Sequence, residues 1–197
     1  MKETMKKVLF TVVAVMLFSL GTAAQGVQVG YISSSINGAN SSAGDLSGFQ
    51  VGVNYELTIQ GPVSVQYALL YSYQAGSDNV LGVKYKTQAH SVDLPVRLAA
   101  TFPVTPSVKL FGFAGPNFSY GIANNTKYTL LGVSKNEDLY DNSDISRFNL
   151  QLGIGAGVKF NDFTFKLGYD WGLLDLNKSK SDDLKVNAFT ASVGYSF

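Results

Sequence analysis

The chain has one histidine, His90, and a serine follows it directly at Ser91. A histidine beside a hydroxyl is the simplest place to seek a nucleophile and its base. On an extended strand, however, neighbouring side chains point to opposite faces, so His90 and Ser91 cannot meet within one strand. A lipid-modifying enzyme would need an acid or serine brought to His90 from elsewhere, and the residues read as no enzyme. Gly153, Gly155, Gly157 and Lys159 suggest a phosphate loop, but their spacing fits neither the dinucleotide fingerprint nor the P-loop, and no helix follows. Glu137, Asp138, Asp141 and Asp144 lack the ligand spacing and central glycine of a calcium loop, so they read as a solvated loop. There is no cysteine, which removes disulfides and thiolate metal sites. No metal or cofactor is expected. What remains is a scattered set of charges: Glu56, Asp93, Arg97, Lys109, Arg147, Lys159, Lys166 and Asp170.

The elements that carry these charges alternate with period two. Phe148, Leu150, Leu152, Ile154, Ala156, Val158 and Phe160 form one parity of a segment whose other parity is Arg147, Asn149, Gln151, three glycines and Lys159. A helix would smear such a pattern around its cylinder. Val92–Phe102, Phe49–Leu57 and Phe163–Leu173 repeat it, and Val27–Ser33, Val63–Gln74 and Phe189–Phe197 complete it. Val108–Ile122 is irregular: Phe111 and Phe113 share a parity with Lys109, whereas Phe118, Tyr120 and Ile122 take the other. A bulge near Gly115-Pro116 is expected to reconcile the two, since one extra residue flips the parity. The reading is all-β, an eight-stranded antiparallel up-and-down barrel.

Three connections are short (59–62, 103–107 and 161–162) and four are long and polar (about 34–47, 75–88, 123–146 and 174–185). They alternate, as in outer-membrane barrels. The polar parity is rich in glycine, which suits a crowded lumen better than a solvated exterior. Aromatics gather at both ends of the apolar parity: Phe102, Phe160, Phe163 and Phe197 near the short turns, and Tyr71, Tyr73, Phe148 and Trp171 toward the long loops. These are interfacial girdles for a transmembrane barrel. Residues 1–24 have the three parts of a cleaved signal peptide: Lys2, Lys6 and Lys7, then an apolar run over Val8–Leu20, then small residues up to Ala24. Residues 25–197 form the barrel domain, whose net charge is near −1 once the leader's charges are removed from the +1 of the whole chain. No basic face for nucleic acid stands out.

The run Ser91-Val92-Asp93-Leu94-Pro95-Val96 resembles the central-strand motif of the PorT-like outer-membrane β-barrel proteins of Bacteroidetes-type bacteria, and Ala114-Gly115-Pro116 resembles their following element. The resemblance implies a Gram-negative outer membrane and assigns no activity. The terminal aromatic of Val193-Gly194-Tyr195-Ser196-Phe197 resembles the signal read by the barrel-assembly machinery. The expected partners are outer-membrane lipids, that machinery, and an extracellular or envelope protein, with the barrel itself a monomer. In a barrel this narrow, the eight inward charges are expected to plug the lumen with a network of salt bridges and hydrogen bonds that anchors the long loops, at least one of Arg97, Lys109, Lys159 and Lys166 (Arg97 first) pairing with Glu56, Asp93 or Asp170. The alternative is a small-solute or ion channel.

Overall fold

The computed structural model describes residues 26–37, 45–80, 83–130, 133–138, 145–177 and 184–197. The expected leader, Asp141 and Asp144 lie outside the described residues. The described residues contain nine strands and no helix: β1 (Gly26–Asn37), β2 (Leu46–Gln60), β3 (Val63–Val80), β4 (Val83–Thr105), β5 (Val108–Leu130), β6 (Val133–Asp138), β7 (Phe148–Phe160), β8 (Phe163–Gly172) and β9 (Lys185–Ser196). All pairings are antiparallel. The eight long strands form a ring in the order β1-β2-β3-β4-β5-β7-β8-β9, closed by the β1–β9 ladder. Closure gives every strand two neighbours, the condition for crossing lipid without unpaired backbone. The ninth strand, β6, is a short addition hung on the far end of β5.

The faces follow the alternation. On β7, Phe148, Leu152, Ile154 and Phe160 are exposed while Asn149 and Gln151 are buried. Apolar exposure runs around the whole barrel, for example Val29, Phe49, Leu98, Phe165, Leu167 and Val193. So large an apolar exterior marks a surface that faces lipid.

Two sequence expectations need correction. First, two of the four segments read as long loops, 75–88 and 123–146, are largely strand. The β3–β4 ladder runs on to Val80↔Val83, and the 123–146 segment contains the end of β5 and all of β6. Alternation in hydrophobicity stops where lipid stops, but residues such as Thr126, Tyr128 and Thr129 keep a high strand propensity beyond it. Second, no parity flip occurs at Gly115-Pro116. The β5–β7 register is unbroken from Val108↔Phe160 to Tyr120↔Phe148. The bulge lies at Ile122, where the β4–β5 register shifts between His90 and Ser91.

Beyond β8 the chain is pinned by Asp175, whose carboxylate accepts the backbone amides of Leu184 (2.8 Å) and Asn177 (2.9 Å). The Leu184 and Asn177 bonds hold its pKa below the ordinary carboxylate value. A depressed folded-state pKa means the clasp is fully formed above about pH 4 and is lost as pH falls through the lowered value. Amide resonances of Leu184 and Asn177 are therefore expected to shift together below pH 4 and to lose that step in Asp175→Asn.

Candidate functional site

The lumen collects the charges that the alternation places inward. Arg97 on β4 forms an ion pair with Asp170 on β8, and Lys159 on β7 forms one with Glu56 on β2. Neither pair joins neighbouring strands. In the ring of eight, β4 and β8 stand three places apart, and β2 and β7 stand directly opposite. Both pairs therefore span the lumen as cross-braces. Glu56 also accepts from Ser64 (2.7 Å) and Gln66 (3.3 Å) on the adjoining strand.

The Arg97 pair is the more enclosed, with Arg97 7% and Asp170 4% exposed. Its fork does not grip the carboxylate through two parallel bonds, as the side chain's geometry alone would suggest. One guanidinium nitrogen donates to Asp170 and the other to the carbonyl of Gly115. Gly115 has φ +153°, a conformation that only glycine adopts cheaply. Gly153 serves the same pair differently, because a Cβ there would run into the Asp170 carboxylate and crowd the Arg97 guanidinium. The Gly115-Pro116 feature is thus a ligand for Arg97 rather than a bulge.

Asp93 is held by hydroxyls. It accepts from Ser72, from Ser91 (3.2 Å) and from Ser119, and Ser72 in turn accepts from Gln50 (2.9 Å). A second polar rung runs from Asn117 to Gln151 (2.9 Å) and from Gln151 to the Val186 carbonyl (2.9 Å). Lys166 lines the space between the braces, beside Arg97, Lys159 and Asp170. Lys109 is exposed and sits at the short-turn mouth with Glu56 and Lys159. Arg147 donates to the Ile122 carbonyl at the bulge (3.3 Å). One cavity beside the braces has a volume of about 90 Å³, and a wider recess of about 460 Å³ opens at the short-turn mouth beside Glu56, Lys109 and Lys159.

Phe111 and Phe113 belong to the lumen and were not expected there. Phe111 is 3% exposed. The Arg97 guanidinium lies 6.0 Å from the Phe113 ring, and the Lys159 ammonium lies 5.5 Å from Phe111, both within cation–π reach. A usable signal was present in the sequence. Phe113 pairs with Gly155 and Phe111 with Gly157, and a Cβ at either glycine would strike the ring opposite it. Large rings on one strand need small residues on the next, the packing that fills small barrels.

The eight aromatics expected to form the girdles lie on the outer face. Phe102, Phe148, Phe160, Phe163, Trp171 and Phe197 are exposed, while Tyr71 and Tyr73 are half-buried against His90. His90 Nδ1 is 2.6 Å from the Tyr71 hydroxyl. His90 and Ser91 point to opposite faces, and the Ser91 hydroxyl donates to Asp93. Among the described residues no group of three His, Asp or Glu side chains could hold a metal.

A family model described as an outer membrane protein beta-barrel domain matches residues 10–197. No curated protein matches the sequence. Among solved structures the chain is similar to Ail, the attachment invasion locus protein of Yersinia pestis, with 18% identity over 89% of this chain and 99% of that one and a TM-score of 0.47. It is also similar to Neisserial surface protein A, with 16% identity over 87% and 97% and a TM-score of 0.44. A third is the outer membrane enzyme PagL, with 12% identity over 86% and 99% and a TM-score of 0.46.

Proposed function

Because the chain belongs to the outer membrane protein β-barrel domain family and so resides in the outer membrane, we propose that it is a closed, side-chain-filled barrel that anchors the extended outer hairpins of β3–β4 and β5–β6 for an interaction role. The observation that carries this is the pair of ion pairs crossing the lumen, beside which the cavity lined by Arg97, Lys166 and Asp170 has a volume of about 90 Å³. That volume holds a few waters. It is not a path for a solute. The finer PorT-like reading rests on Ser91–Val96 and Ala114–Pro116. In this chain Asp93 and Gly115 of those motifs belong to the lumen network, so we read the motifs as structural. We propose no catalytic role and no cofactor. The partners we propose are lipids around the outer face, the barrel-assembly machinery acting on β9 and Phe197, and an envelope or extracellular protein at the hairpins, with the barrel a monomer.

Purified protein in planar bilayers is expected to show no steady conductance. Reproducible unitary steps from the wild-type chain would establish a small channel instead.

A further inference from the structure

The outer face of β4 changes character along its length. Val92, Leu94, Val96, Leu98 and Phe102 face outward and apolar, and the next outward positions are His90, Gln88 and Lys86. On β5, past the bulge, Asn125 and Lys127 take the outward positions, while Thr126 turns inward to meet Thr87 (3.2 Å). Lys86 and Lys127 are direct cross-strand partners, and both are exposed. Directly opposed side chains on one face start about 5 Å apart at Cβ, and like charges in that relation are destabilising. Neither lysine forms a salt bridge within the described residues. Ser77 flanks Lys86 on β3, and Gln88 and Asn125 are the next outward pair toward the membrane. Below it lies the aromatic cluster of Tyr71, Tyr73 and His90, which marks the edge of the apolar belt. A paired cation site with polar neighbours at Ser77, Gln88 and Asn125, just beyond the hydrocarbon boundary, has the chemistry of a phosphate cradle.

We propose that Lys86 and Lys127 bind the phosphate of an outer-leaflet lipid headgroup on the outside of the barrel. The anion resolves the repulsion between the two lysines, and the aromatic cluster receives the upper part of the acyl region. This makes the long-strand end a specific lipid contact, where a lumen plug alone would give only a general apolar one.

The test uses purified full-length protein in zwitterionic micelles, with diphosphorylated lipid A as the probe and intact-complex mass spectrometry as the readout. Wild-type protein is expected to bind lipid A saturably. The double variant Lys86→Gln/Lys127→Gln is expected to bind about thirty-fold more weakly, from roughly one phosphate-scale contact per lysine. Lys109→Gln, at the opposite end, should bind as wild type does. Without lipid A, the double variant should melt no lower than wild type, since a like-charge contact has been removed. Equal affinity of the double variant and wild type overturns the proposal, as does a lower melting temperature of the lipid-free variant. Displacement of lipid A by an equal concentration of inorganic phosphate overturns the lipid as the ligand's source.

Discussion

Replacing Arg97 with methionine is expected to destabilise the barrel by about 3–5 kcal/mol, because it strands the Asp170 carboxylate in a nearly dry lumen. Asp170 is 4% exposed, and the guanidinium is its ion-pair partner. The same substitution removes the guanidinium donor to the Gly115 carbonyl. The double variant Arg97→Met/Asp170→Asn should recover much of the loss, since no charge is then left unpaired. The difference between the single and double variants measures the cost of leaving Asp170 ionised without its partner. Lys159→Gln serves as the internal comparison. Its pair is more open, with side-chain exposures of 20% and 27%, so about 1 kcal/mol or less is expected there. Urea unfolding in lipid vesicles, followed through the single tryptophan Trp171, reads all four proteins. A cost below about 1 kcal/mol for Arg97→Met would mean that water reaches Asp170 freely, and the closed-lumen reading would fall with it.

A charge placed on the outer face should cost according to its depth. Ile154 sits at the middle of β7, is 52% exposed and points outward between Ala114 and Tyr169. Ile154→Arg is expected to cost about 2–4 kcal/mol, the range for an arginine facing lipid near the midplane. Phe160, on the same face of the same strand, is 49% exposed and lies next to the Asn161-Asp162 turn. Phe160→Arg should carry a charge penalty of only about 0–1 kcal/mol, since the interface hydrates the guanidinium. The gradient is the discriminating result. A barrel whose outer face met water would pay nothing for either charge, and two equal small costs would remove the membrane assignment of this face.

Much of this protein is legible from the residues alone. A strand that faces lipid on one side and a narrow lumen on the other must alternate, so strand count, antiparallel order and the inward position of Glu56, Asp93, Arg97, Lys159 and Asp170 follow from period two. The strand ends do not follow, because the alternation in hydrophobicity ends at the edge of the lipid. Beyond it β3, β4 and β5 continue with polar residues on both faces.

The orientation of Phe111 and Phe113 was also out of reach of an apolar-outward rule. It depends on which residues oppose them, and only the β5–β7 register sets them against Gly157 and Gly155. The same holds for the pairing of charges. Parity says that a side chain points inward, but ring closure decides which strands face one another across the lumen. Closure brings β2 against β7 and β4 within reach of β8, residues 103 and 73 positions apart in the chain. Local chemistry determined an outer-membrane barrel with charges turned inward, and tertiary closure decided which of those charges meet across it.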